Sequence, residues 1–144
     1  MENPTLEGSY EEAKKNAKEF YGKLERVWCP ALGDYVFFNK SGFEHLVRKR
    51  GLPRPKSEQK RRFALLPHIE SILKDPTVTV SHEEDNILHT TKIQGERALV
   101  PAVVTFRRIV AMRDDKLVKI VIRQINGREK HFFGAFEGKQ KPTR

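Results

Sequence analysis

Residues 117–136 read LVKIVIRQINGREKHFFGAF, and their patterning decides the fold. Over residues 117–125 Leu117, Lys119, Val121 and Arg123 face one way, and Val118, Ile120, Ile122 and Gln124 the other. Alternation at period two, rich in β-branched residues, predicts a half-buried strand. Asn126-Gly127 follows, and both residues tolerate positive φ, which marks a tight hairpin. Residues 130–136 return as a last strand, with Lys130, Phe132, Gly134 and Phe136 expected on one face and His131, Phe133 and Ala135 on the other.

Working back from this hairpin, Arg113-Asp114-Asp115 reads as a turn and residues 99–112 as a long β-rich run interrupted by Pro101. Residues 87–93 form a further strand, residues 83–86 (Glu-Glu-Asp-Asn) an acidic turn, and residues 77–81 the first strand. The half before residue 77 is helical in pattern. Ser9 caps a helix over residues 9–27, Ser41 caps one over residues 41–49, and Ser57 caps a third over residues 58–73, broken at Pro67. A short strand is expected at residues 35–39. The expectation is an α+β domain spanning residues 1–144, with N-terminal helices (residues 9–76) packed on a four- to five-stranded antiparallel sheet (residues 77–136) and a disordered tail at 137–144.

Composition bounds what such a domain does. The chain of 144 residues suits one core, and 38% hydrophobic against 33% charged residues makes it polar but globular. The single cysteine, Cys29, excludes an internal disulfide and any multi-cysteine zinc site. No secretory leader and no membrane span is legible, so a cytoplasmic protein without membrane contact is expected. The formal charge is +9, and it is clustered: residues 48–62 hold eight basic residues against one acid. Arg48, Lys49, Arg50, Arg54, Lys56 and Lys60, together with Lys119 and Lys130, are the expected nucleic-acid contacts, because each cation that neutralises a phosphate releases a counterion. A solvated basic loop reads the same way.

No phosphate-binding glycine loop, nucleophile elbow or paired carboxylate is present, and the five histidines form no metal-ligand pair at short helical spacing. No cofactor is expected. What remains is histidine with arginine, a set suited to metal-free RNA cleavage, in which the ribose 2′-OH attacks its own phosphate. His45 on the second helix and His131 on the last strand are the proton-transfer candidates. Each reads equally as an ordinary helix or strand residue. His68, His82 and His89 read as structural or surface residues.

The stretches FFNKSGFEHLVRKR (37–50), RRFALLPHIESILKDPTVTV (61–80) and REKHFFGAF (128–136) together resemble the phage-associated nucleases of the barnase/EndoU/colicin/RelE-like group. The resemblance covers residues 35–136. It implies a RelE/barnase-like fold and a metal-independent endoribonuclease, toxin-like or phage-related. His45 then matches the early-helix histidine, and Arg61 or Arg62 the basic residue before the Leu66-Pro67 helix. His131 falls near the final-strand site. Arg61, Arg62 and Arg123 would hold the scissile phosphate. Such domains often present Ser or Thr near the position of Gly134, so here either His131 does that work or the site is degraded. The implied partner is RNA, such as tRNA or rRNA, with an acidic inhibitor protein as a second. A non-catalytic nucleic-acid-binding module, stacking bases on Phe106, Phe132 or Phe136, and a basic protein-interaction domain are the rival readings.

Overall fold

The computed structural model describes residues 9–138, except for the side chain of His89. Four helices lie among them: α1 (Tyr10–Leu24), α2 (Lys40–Val47), α3 (Lys56–Phe63) and α4 (Leu66–Leu73). Eight strands accompany them: β1 (Arg26–Cys29), β2 (Asp34–Phe37), β3 (Arg48–Lys49), β4 (Leu52–Pro53), β5 (Thr79–Ile93), β6 (Glu96–Arg113), β7 (Lys116–Ile125) and β8 (Lys130–Gly138). The class is mixed α+β, as expected.

The sheet departs from the expectation. It has six strands in the order β1-β2-β8-β7-β6-β5, and β2 runs parallel to β8. The meander β5 to β8 is the expected antiparallel part, to which the β1-β2 hairpin adds two strands. That hairpin interrupts the first half of the chain, so the helices do not form one N-terminal block. Glu25, at φ 49°, ends α1 early, and its carbonyl accepts from the Phe38 N–H, which draws residues 26–29 into a strand.

Several local readings change for physical reasons. Asn39, not Ser41, caps α2, with its Oδ1 accepting from Gly42 N–H at 3.1 Å. α3 starts at Lys56 without a side-chain cap, and the helix breaks at Ala64 and Leu65, with Pro67 in the first turn of α4. The acidic segment 83–86 is strand, because the β5-β6 ladder runs unbroken from Thr79↔Val110 to Ile93↔Glu96. Glu83 is neutralised there by Arg108 at 2.8 Å. Residues 137 and 138 belong to β8, while 139–144 lie outside the described residues.

One face of the sheet is covered by the helices. Val27, Cys29, Val36, Ile109, Val118, Ile120, Ile122, Phe132 and Ala135 meet Leu46, Phe63, Leu66, Ile69 and Ile72 there in one apolar core. At the other face, among the described residues, no helix packs over the sheet centre. A β-bulge at Val121/Ile122 sets what that face shows. Ile122 pairs with Phe132 and Val121 with Gly134, which leaves Phe133 as the extra residue. The simple alternation of residues 130–136 therefore fails. Phe132 and Ala135 are core, while His131, Phe133, Gly134 and Phe136 belong to the open face.

Candidate active site

One row of ladder partners crosses the open face. Phe37 pairs with His131, His131 with Arg123, Arg123 with Phe106, and Phe106 with Glu83. Partners in register share a face and lie about 5 Å apart at Cα. His131 and Arg123 are thus direct neighbours.

His45 reaches this row from α2. β2 leaves the sheet after Phe37, and α2 takes its place along the free edge of β8. Gly42 makes that approach possible: a Cβ there would stand 2.5 Å from the Phe132 carbonyl oxygen. His45 lies one turn further on, its ring 4.0 Å from that of Phe133, centroid to centroid. The Arg123 guanidinium lies 4.6 Å from the same ring, and Phe106 closes on it edge-on at 5.5 Å. The bulged Phe133 is therefore the hub that gathers His45, Arg123 and Phe106.

Charge around the hub is unbalanced. Arg123 is half-buried, its Nε is buried without a hydrogen bond, and among the described residues no carboxylate pairs with it. Burial lowers its pKa. Burial also lowers the His45 pKa, with Arg123 and Arg54 adding to the effect and Glu44 opposing it. His131 is lowered by burial as well, with Glu129 opposing and Arg123 reinforcing. Both imidazoles are thereby held neutral beside a cation with no counter-ion. An anion placed among them would satisfy Arg123 and lift both histidines back.

Asn39 fixes the state of His131. Because Oδ1 of Asn39 is committed to the cap of α2, the atom facing His131 is Nδ2, 3.1 Å from His131 Nδ1. An amide nitrogen only donates, so Nδ1 accepts and the neutral ring carries its hydrogen on Nε2. The Tyr21 hydroxyl holds Asn39 in turn by donating to its carbonyl oxygen. Asn39 and Phe133 are the site residues that sequence reasoning missed. An Asn directly after a strand and before a helical stretch is a signal for the first, whereas the bulge that makes Phe133 the hub leaves no mark in the alternation.

The other expected contacts separate into groups. Arg62 is a brace: its Nη1 donates to the Ala135 carbonyl on the free edge of β8 at 2.8 Å, and Glu58 approaches its Nη2 at 3.8 Å. Arg61 is exposed and shares with Arg62, Phe136 and Glu137 a cleft of about 390 Å³. Lys119 lies over the outer ring of Phe136, on the open face. Arg54 is nearly buried, donating to the His45 carbonyl and pairing with Glu58, so it staples α2 to α3. Lys49 and Arg50 are exposed where β3 turns into β4. Arg48 pairs with Glu44 and lines a separate cleft with Lys14 and Lys18. Lys56 covers the Tyr10 ring. Lys60 lies on α3. Lys130 faces away from His131 and is bound to Asp34 at 2.9 Å. Phe132 is core, not a stacking surface. Among the described residues no three His, Cys, Asp or Glu side chains converge as metal ligands, and no helix is long and apolar enough to cross a membrane.

None of the curated proteins matches the chain, and neither does any solved structure. Residues 8–132 match a phage-associated family, the large polyvalent protein-associated domain 3, and the chain belongs to that family.

Proposed function

We propose that the protein is a metal-independent endoribonuclease of RelE/barnase-like type, with His45, His131 and Arg123 as its catalytic residues. The observation that carries this reading is that an unpaired, half-buried Arg123 stands between two neutral histidines, His131 as its ladder partner and His45 across the Phe133 ring. A phosphate diester seated on Arg123 supplies the missing negative charge. His45, neutral in the free protein, takes the proton of the 2′-OH. The 2′-oxygen–phosphorus bond forms and the phosphorus–5′-oxygen bond breaks. Arg123 holds the phosphorane charge, and the Nε2–H of His131 hydrogen-bonds the 5′-oxygen as it leaves; that oxygen takes its proton from a water, and the hydroxide so formed is neutralised by the proton held on His45. The products end in a 2′,3′-cyclic phosphate and a 5′-OH.

Lys49, Arg50, Arg61 and Lys119 are the exposed or half-exposed cations left to contact flanking phosphates. Arg62 and Arg54 support the site through the backbone of β8 and α2. An acidic inhibitor protein is a partner with the charge to cover the same face.

The test is incubation of the pure protein with tRNA and rRNA in EDTA, beside His45→Ala and His131→Ala. Fragments ending in cyclic phosphate that disappear in a folded His45→Ala protein support the assignment. Full cleavage by that variant overturns it. Intact RNA that is nonetheless retarded in a salt-dependent way points to the binding module, which the half-exposed Phe106 on the open face would serve.

A further inference from the structure

Beyond the third strand of the meander, β5 and β6 continue as a free two-stranded arm. β6 pairs with β7 only from Val104 onward, whereas it pairs with β5 from Glu96. Along the arm, Ala98, Val100, Ala102 and Val104 are partly or fully shielded, and Leu99, Pro101 and Val103 between them are exposed. The shielded side is continuous with the open face that carries His131, because the pair Val104↔Ile125 lies two residues from Phe106↔Arg123 and so shares its face. Thr91 and Val100 of the arm line a cleft of about 190 Å³ with Ile125, Asn126, Arg128 and His131.

We propose that this cleft is a nucleobase subsite that selects a keto-bearing base, uracil or guanine, over adenine. The proposal deepens the ribonuclease reading and takes its ligand class from it. The cleft falls below the range of about 300–1,000 Å³ usual for whole ligands, so it suits a single base rather than a nucleotide. Val100 and Ile125 offer apolar surface to the ring. Asn126 Nδ2 and the Arg128 guanidinium can only donate, and the Thr91 hydroxyl can donate or accept. Asn126 is pinned by its Oδ1, which accepts from Val103 N–H at 2.9 Å, and its own N–H donates to the Val103 carbonyl. Its Nδ2 hydrogens, the Arg128 guanidinium and the Thr91 hydroxyl find no partner among the described residues.

The loop that presents them is already fixed. The Arg128 N–H donates to the Ile125 carbonyl, and the Arg128 carbonyl accepts from Gln124 Nε2 at 2.7 Å. No ion pair joins Glu129 to Arg128. Donors lining one cleft can pair with O6 and N7 of guanine or with the keto oxygens of uracil. Asn126 and Arg128 are exposed, so with adenine, whose N6 amino group cannot accept from them, they stay bonded to water and adenine gains fewer bonds than uracil or guanine.

The test is a titration of nitrogen-15-labelled protein with uridine, guanosine and adenosine, and separately with inorganic phosphate. Uridine and guanosine should move the Asn126 side-chain amide and the Arg128 and Thr91 signals, with adenosine at least about tenfold weaker. Phosphate should move His45, His131 and Arg123 instead. Asn126→Asp retains the acceptor that holds Val103 and replaces the Nδ2 donor with a charged acceptor; it and Arg128→Gln should each weaken uridine and guanosine binding in a folded protein. The subsite is overturned if no nucleoside moves these signals, if adenosine matches uridine and guanosine, or if both variants bind as the parent does. Selective nucleoside binding without RNA cleavage would support the subsite and count against the reaction. Cleavage blind to the flanking base, with no nucleoside binding, would do the reverse.

Discussion

Asn39 and His131, 92 residues apart in sequence, share one hydrogen bond, and through it the cap of α2 dictates which imidazole nitrogen carries the hydrogen. Asn39→Asp keeps the cap, since Asp serves as well as Asn at that position. It replaces the donor facing Nδ1 with an acceptor. The neutral ring should then hold its hydrogen on Nδ1, and the His131 pKa should rise. Long-range proton–nitrogen spectra of the ring check both. Above that raised pKa, RNA cleavage should fall while the melting temperature stays within a few degrees. An unchanged tautomer would refute the link.

Arg123 acts on His45 as a charge as well as on substrate. Arg123→Gln removes the second-ranked cause of the lowered His45 pKa, after burial. The His45 titration, followed by proton NMR, should move up toward its ordinary value. His131, where Arg123 ranks last, should move less. Cleavage should drop by about 10²-fold or more, the usual loss when a donor to a transition-state anion is removed.

Both histidines also set an acid limit on the fold. Their folded pKa values lie below the ordinary 6.5. Below that pH the unfolded chain binds more protons than the native one, so stability falls as pH drops, until the folded values are passed. Urea melts from pH 7.5 to 5 should show this decline. The double variant His45→Gln/His131→Gln should flatten it over that window; an equally steep decline would place its origin elsewhere.

Neighbouring arginines on α3 should separate cleanly. Arg62→Ala loses the bond to the Ala135 carbonyl and should cost about 1.5–3 kcal/mol in a denaturant melt. Arg61→Ala, at an exposed position, should change stability by less than about 0.5 kcal/mol. It should instead lower RNA retention and reduce its salt dependence.

Two glycines give opposite expectations. Gly42→Ala drives a methyl group into the Phe132 carbonyl and should cost about 1–3 kcal/mol. It should also pull His45 away from Phe133. At Gly134 an added Cβ meets nothing within 4 Å, so Gly134→Ala should fold as the parent does. Thermal melts of the two variants make the comparison.

Much of this arrangement is legible in the sequence. The β7-β8 hairpin follows from its alternation and from Asn126-Gly127, which do take positive φ at 51° and 71°. His45 and His131 stand out by residue type, by their places on the second helix and last strand and by the resemblance, and the fold brings them to one face. The parallel β2-β8 pairing was not legible, because four-residue strands carry too little pattern to name a partner so distant in sequence. Nor was the bulge at Phe133, which reverses the faces of Gly134, Ala135 and Phe136 without any change in residue type. The acidic run 83–86 looked like a turn because local propensity omits the cross-strand arginine that offsets it. The basic block misled in part: Arg54 and Arg62, drawn inward, brace helices and strand edge instead of meeting solvent.

The free arm has a thermodynamic corollary. From the pair Ile87↔Ala102 out to the pair Ile93↔Glu96 it is held by one ladder only, and Pro101 sits in it without losing any third-strand bond. Strand pairs of that kind open at far lower free energy than the body to which they are attached. Amide exchange should therefore be fast along residues 87–102 and slow in β7 and β8, so the arm comes loose and re-forms as a cooperative block while the remainder stays native. A ligand bound against its inner side would be read out first as protection of those amides.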